Sequence, residues 1–223
     1  MSAVVAMNLG SYVLLCTDTR VTIPGPPARW TDGPCKISRT AIGLITGMGF
    51  EVLLGAVDAK MARTAITSTS ALAPLVDGAR ASVLSMIPAD YRTEVARDTF
   101  WILTYTTQVE AGRAMRLAIA HASTGYQPLS VEAFVGVPYD MTPGDCAWYT
   151  DRLLQEIRPL TRTDDLSAHL EHHMALAARY LSELATASPY VSPTYHIGID
   201  SLDHGSSISS QCDGDSSRCA RLH

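Results

Sequence analysis

Five short pieces of this chain carry the residue types that chemistry needs. They are Ser2, Asp18-Thr19-Arg20, Cys35-Lys36-Ile37, Thr46-Gly47-Met48-Gly49, and the run His169, His172 and His173. A serine hydroxyl is a weak nucleophile until a base takes its proton. No Ser/His/Asp pattern supplies that base from a histidine. The three clustered histidines, three and four residues apart, could share a metal on one helical face. Such a run is more often a solvated face, so no metal is expected. Cys35 beside Lys36 is a rival nucleophile without a histidine motif to activate it. His121 and His196 fall inside strand patterns and are expected to serve packing.

The elements around these pieces follow from periodicity. "AVVAMN" and "YVLLCT" form a hairpin about Leu9-Gly10-Ser11. Residues 23–34 hold four prolines and two glycines and are expected as loop. "CKIS" and "AIGLITG" make a second hairpin. From Met48 the apolar spacing changes to three and four, which predicts a helix. A second helix is expected over 71–86, ending before Pro88. Two strands, "TFWILTYTT" and "AMRLAIAHAS", and a third, "VEAFVGV", come next. Helices over 143–157 and 164–187 follow, the latter capped by Asp164 or Asp165. "TYHIGIDSL" is read as the last strand. The Ser/Gly-rich stretch 204–223 is read as a flexible tail. The domain expectation is therefore 1–203 with a tail over 204–223. Segregated strands and helices indicate an α+β class.

Composition narrows the functions. The chain has 223 residues, 47% hydrophobic and 17% charged, with a net charge of −5. That is enough to bury a full core. No cluster of Lys and Arg is present, which speaks against nucleic acid as a partner. Five cysteines without a C-x-x-C pair suit a reducing, cytoplasmic setting. No basic residue precedes Arg20, so an export signal is not expected. No run approaches the ~20 apolar residues of a membrane helix.

The first four pieces, in this order and at this spacing, resemble the β-type subunits of proteasomes and the HslV-type peptidases, which are N-terminal-nucleophile hydrolases. The likeness covers roughly the first 70 residues well and extends loosely to about residue 200. Ser2 stands where the family usually has Thr. The later motifs depart: Gly136-Val137-Pro138 replaces a Gly-Ser-Gly, and Pro189-Tyr190-Val191-Ser192-Pro193 replaces an Asp-x-x-Ser-Gly, keeping only Ser192.

The resemblance implies a four-layer α/β/β/α sandwich. It implies that Ser2, freed by removal of Met1, attacks an amide carbonyl, with its own α-amine as base near pKa ~7.7–8.0. Lys36 would lower the hydroxyl's pKa, Asp18 would hold Lys36, and Gly49 would offer its N–H to the oxyanion. Ser192 would support the α-amine. Thr22 and Gly47 would bind an extended substrate. The expected activity is an N-terminal-serine amidohydrolase or peptidase on a peptide or small amide, without cofactor. An amine acceptor would make it an acyl or peptidyl transferase. The alternatives are a catalytically silent structural subunit and a binding module using the same cleft. The family also implies a homo-oligomeric ring or related assembly and an ATPase partner.

Overall fold

Strands that are apolar on both faces must lie between two other layers, and the first hairpin is such a case. In the computed structural model, which describes residues 3–23, 29–33, 35–97, 99–110, 112–161 and 164–211, all residues of β1 (Val4–Asn8) and β2 (Tyr12–Asp18) are buried. Next come β3 (Arg20–Ile23), β4 (Arg29–Asp32), β5 (Ile37–Arg39) and β6 (Leu44–Met48). Three helices follow: α1 (Glu51–Met61), α2 (Leu72–Met86) and α3 (Ala89–Arg97). Then come β7 (Phe100–Val109), β8 (Gly112–His121), β9 (Leu129–Val131) and β10 (Ala133–Gly136). The chain continues with α4 (Pro143–Glu156), α5 (Leu166–Ala187), β11 (Tyr195–Ser201) and β12 (Gly205–Gln211).

The strands form two five-stranded antiparallel sheets, β10-β1-β2-β11-β12 and β5-β6-β7-β8-β9, with β3 and β4 as a separate ribbon. Strand alternation divides the first hairpin. Val5, Met7, Leu14 and Cys16 pack with Tyr149, Leu153, Tyr180 and Leu184 of α4 and α5. Val4, Ala6, Val13 and Leu15 pack with Ile37, Leu44, Met48, Ile102 and Leu117 of the second sheet. The other face of that sheet, with Ile45, Trp101 and Leu103, packs with Leu53, Val57 and Val76 of α1 and α2. The described residues thus form a mixed α/β fold, with two five-stranded antiparallel sheets and five α-helices.

Local chemistry sets the helix starts. Thr142 and Asp145 form a reciprocal capping box at α4, with Pro143 in the first turn. Asp165 accepts from the Ser167 N–H at 3.0 Å and caps α5.

Three expectations need correction, and one helix, α3, was not foreseen. The proline-rich stretch is not all loop, because β4 pairs with β3 from Arg20↔Asp32 to Ile23↔Arg29. The helix α3 had no apolar stripe to announce it. "VEAFVGV" is not one strand: it breaks at Glu132, so that β9 pairs with β8 and β10 with β1. The tail does not begin at 204, because β12 pairs with β11 over Tyr195↔Gln211 to Ser201↔Gly205. That strand is mostly serine, so no apolar alternation marked it. Residues 212–223 lie outside the described residues. Among the described residues no helix is long and apolar enough to cross a membrane.

Candidate active site

Asp18 ends β2, and its side chain is fully buried. A buried carboxylate needs several donors, and the described residues supply four. Oδ1 accepts from the Ala3 N–H at 2.8 Å and from Lys36 Nζ at 3.2 Å. Oδ2 accepts from the Arg20 N–H at 2.9 Å and from the Ser192 N–H at 3.2 Å. Three distant segments therefore meet on one side chain: the start of β1, the segment before β5, and the loop before β11. Charge assistance makes each of these bonds stronger than a neutral one.

Lys36 immediately precedes β5. Its ammonium also donates to the Arg20 carbonyl at 2.6 Å, and its side chain is 15% exposed. It is thus held between a carboxylate and a carbonyl at the edge of the core. Arg20 begins β3. Its guanidinium donates to the carbonyls of Pro189 at 2.7 Å and Val191 at 3.2 Å, which ties the loop before β11 to the start of β3. The Thr19 N–H reaches the Thr194 carbonyl at 3.0 Å and closes the same junction.

Ser192 is fully buried, and its Oγ accepts from the Thr194 N–H at 3.1 Å. Gly49 is buried with φ at 128°, in a region that favours glycine, and it lies two residues before α1. Gly47 has a packing reason for its type: a Cβ there would collide with the Leu54 side chain and crowd the Trp101 indole. Thr22 lies in β3 opposite Trp30 of β4. Asp18, Lys36 and Ser192 thus come together, and Gly49 stands where α1 begins. Ser2 and Met1 lie outside the described residues.

The rival readings find other partners. His169 uses both ring nitrogens, Nδ1 with the Tyr12 hydroxyl at 2.7 Å and Nε2 with the Arg158 carbonyl at 2.7 Å. His173 is fully buried, accepts at Nε2 from the Arg158 N–H at 3.1 Å, and donates from Nδ1 to the His169 carbonyl. These histidines pin the segment after α4 onto α5. Burial holds the His173 pKa down at about 4. Burial likewise pushes the Cys35 thiol up, away from the thiolate that nucleophilic attack needs. A mostly apolar cavity of about 600 Å³ lies at the other end of β2, near Tyr12, Leu170 and Ile199, and includes none of the site residues above.

One group near Asp18 was read only as packing. His196, the second residue of β11, is 9% exposed, and its Nδ1 is buried without a partner among the described residues. Burial, then the nearby Lys36, lowers its pKa, while Asp18 opposes them. The Thr17 and Thr46 hydroxyls are also buried without partners among the described residues. The strand face of His196 continues with Gly198 and Asp200, so no apolar alternation marked the position.

No protein-family model matches the sequence, and no curated protein does. Solved structures do match. An Anbu Gly-1 mutant from Hyphomicrobium sp. strain MC1 aligns with a TM-score of 0.62 at 13% identity, over 94% of this chain and 88% of that one. Anbu, an ancestral beta-subunit, from Yersinia bercovieri aligns with a TM-score of 0.62 at 13% identity, over 95% and 88%. At this identity the likeness is one of fold. The chain shares its mixed α/β fold with these proteins, which agrees with the proteasome-like expectation at that coarse level.

Proposed function

We propose that this protein is an N-terminal-nucleophile amidohydrolase or peptidase of the proteasome-like type. The observation that carries the reading is the cluster on Asp18. A buried carboxylate there grips Lys36 and the backbone of Ala3, the residue directly after Ser2. A group that fixes the start of β1 and a lysine together is what a nucleophile at position 2 requires.

In this reading the Met1 residue is removed and Ser2 carries a free α-amine. The amine takes the hydroxyl proton as Oγ attacks the amide carbonyl. Lys36 favours the developing negative charge, and Asp18 keeps Lys36 charged and in place. The Gly49 N–H stabilises the oxyanion, a role typically worth about 3–4 kcal/mol of barrier. The tetrahedral intermediate collapses, the amine leaves with a proton from the α-ammonium, and an acyl-ester remains on Ser2. Water resolves the ester by the same route. Ser192 supports the centre through its backbone bond to Asp18, and Thr22 and Gly47 flank the path of an extended substrate.

The three apolar clusters support reading the fold as the four-layer α/β/β/α sandwich of that family. They also support residues 1–203, extended by β12, as one domain. By the same analogy the protein is a cytoplasmic homo-oligomer that works with an ATPase partner.

The test is the intact mass of the cell-made protein, before and after a β-lactone probe. Loss of Met1 and a single adduct that is absent in Ser2→Ala is the expected result. A retained Met1 without an adduct overturns the reading in favour of a silent structural subunit.

A further inference from the structure

His196 sits beside the cluster on Asp18. On β11 it pairs with Thr17 of β2, and its neighbour Tyr195 pairs with Asp18. Its direction follows from the strand. Two residues on, a Cβ at Gly198 would touch Leu44 at 2.8 Å and Ile37 at 3.1 Å. Four residues on, Asp200 accepts from Thr104 of β7. Alternation turns His196 to the same side, toward the second sheet where Lys36 precedes Ile37.

The imidazole has one proton when neutral and two nitrogens to place it on. Nδ1 is buried and has no partner among the described residues. Nε2 is left as the nitrogen at the ring's small exposed part. An orphaned buried N–H is rarer than an under-satisfied acceptor, so the proton belongs on Nε2. The ring then presents a donor at its small exposed part, beside Lys36. Lys36 is already engaged by Asp18 and the Arg20 carbonyl, so the paired charges oppose each other at the ring and neither sign of ligand charge is strongly favoured. The matching ligand atom is an uncharged acceptor.

We propose that His196 is a substrate-binding residue whose Nε2–H donates to a second carbonyl oxygen on the acyl group being transferred. The proposal rests on the hydrolase reading above and adds a substrate class: acyl groups with a side-chain amide or equivalent carbonyl.

The experiment uses two aryl-amide probes of equal length, one ending in a glutaminyl and one in a norleucyl acyl group. The wild-type protein prefers the glutaminyl probe in kcat/KM. His196→Phe lowers that preference about tenfold, the value of one hydrogen bond. His196→Gln, which can put an N–H near the place of Nε2, restores most of it. An unchanged preference in His196→Phe, or a glutamine variant that behaves like the phenylalanine one, overturns the proposal. Equal turnover by Ser2→Ala overturns the hydrolase reading instead. Whether or not either probe is cleaved, long-range ¹H–¹⁵N spectra of histidine-labelled protein decide the tautomer. His196, assigned by its loss in His196→Gln, is expected with the proton on Nε2. A proton on Nδ1 refutes the assignment.

Discussion

Replacing Asp18 by asparagine isolates the charge at the centre of the site. The side chain keeps its size, but one carboxylate oxygen becomes an NH₂ donor. Either way round, that donor meets two others. Facing the Oδ1 side it opposes the Ala3 N–H and the Lys36 ammonium, and facing the Oδ2 side it opposes the N–H groups of Arg20 and Ser192. Removing one partner of a buried ion pair costs about 3–5 kcal/mol. Lys36 is 15% exposed, so water screens it in part and the lower end applies, about 3 kcal/mol. For a chain of 223 residues this lowers Tm by about 6–12 °C. Urea unfolding followed by circular dichroism gives the free energy, and calorimetry gives Tm. Lys36→Met should cost less than Asp18→Asn, because three backbone donors still serve the carboxylate. A loss below about 1 kcal/mol in Asp18→Asn would show that the four bonds do not hold three segments together. The same variant should also lose β-lactone labelling.

Three further outcomes follow from the packing. His173 protonates near pH 4 when folded and near its ordinary 6.5 when unfolded, so the unfolded state binds more protons between those values. Stability therefore falls as pH drops through 6.5 toward 4, by about 2 kcal/mol between pH 7.5 and pH 5. His173→Gln should flatten that part of the stability profile in urea titrations, and an unchanged slope would assign it to other groups. Gly198→Ala places a methyl 2.8 Å from Leu44 and should destabilise by about 1–3 kcal/mol, measured by the same unfolding assay. Thr142→Ala removes the hydroxyl that accepts the Asp145 N–H and should cost about 1 kcal/mol in the same titration, with the overall helix content unchanged by circular dichroism.

Sequence reasoning reached some of this architecture because the responsible signal is in side-chain type. Val4 to Asn8 and Tyr12 to Asp18 are apolar on both faces, so a doubly covered hairpin was legible. Asp18 and Lys36 were reached through the resemblance, because its short motifs carry those residue types. The other bonds to Asp18 come from backbone N–H groups of Ala3, Arg20 and Ser192, and a backbone donor places no demand on residue type. The same is true of the loop before β11. Proline stands at position 189, where the family pattern has aspartate, and that loop is held through the carbonyls of Pro189 and Val191 by Arg20. The loop is anchored without a motif, because Arg20 reaches main-chain atoms that every sequence supplies. Strands such as β4 and β12 escaped for a related reason. Their pairing is main-chain bonding, and their residues, RWTD and GSSISSQ, print no apolar period on the sequence. His196 is the reverse case: its type was visible, but only the register of β11 against Thr17 puts an imidazole whose Nδ1 has no partner among the described residues beside the lysine.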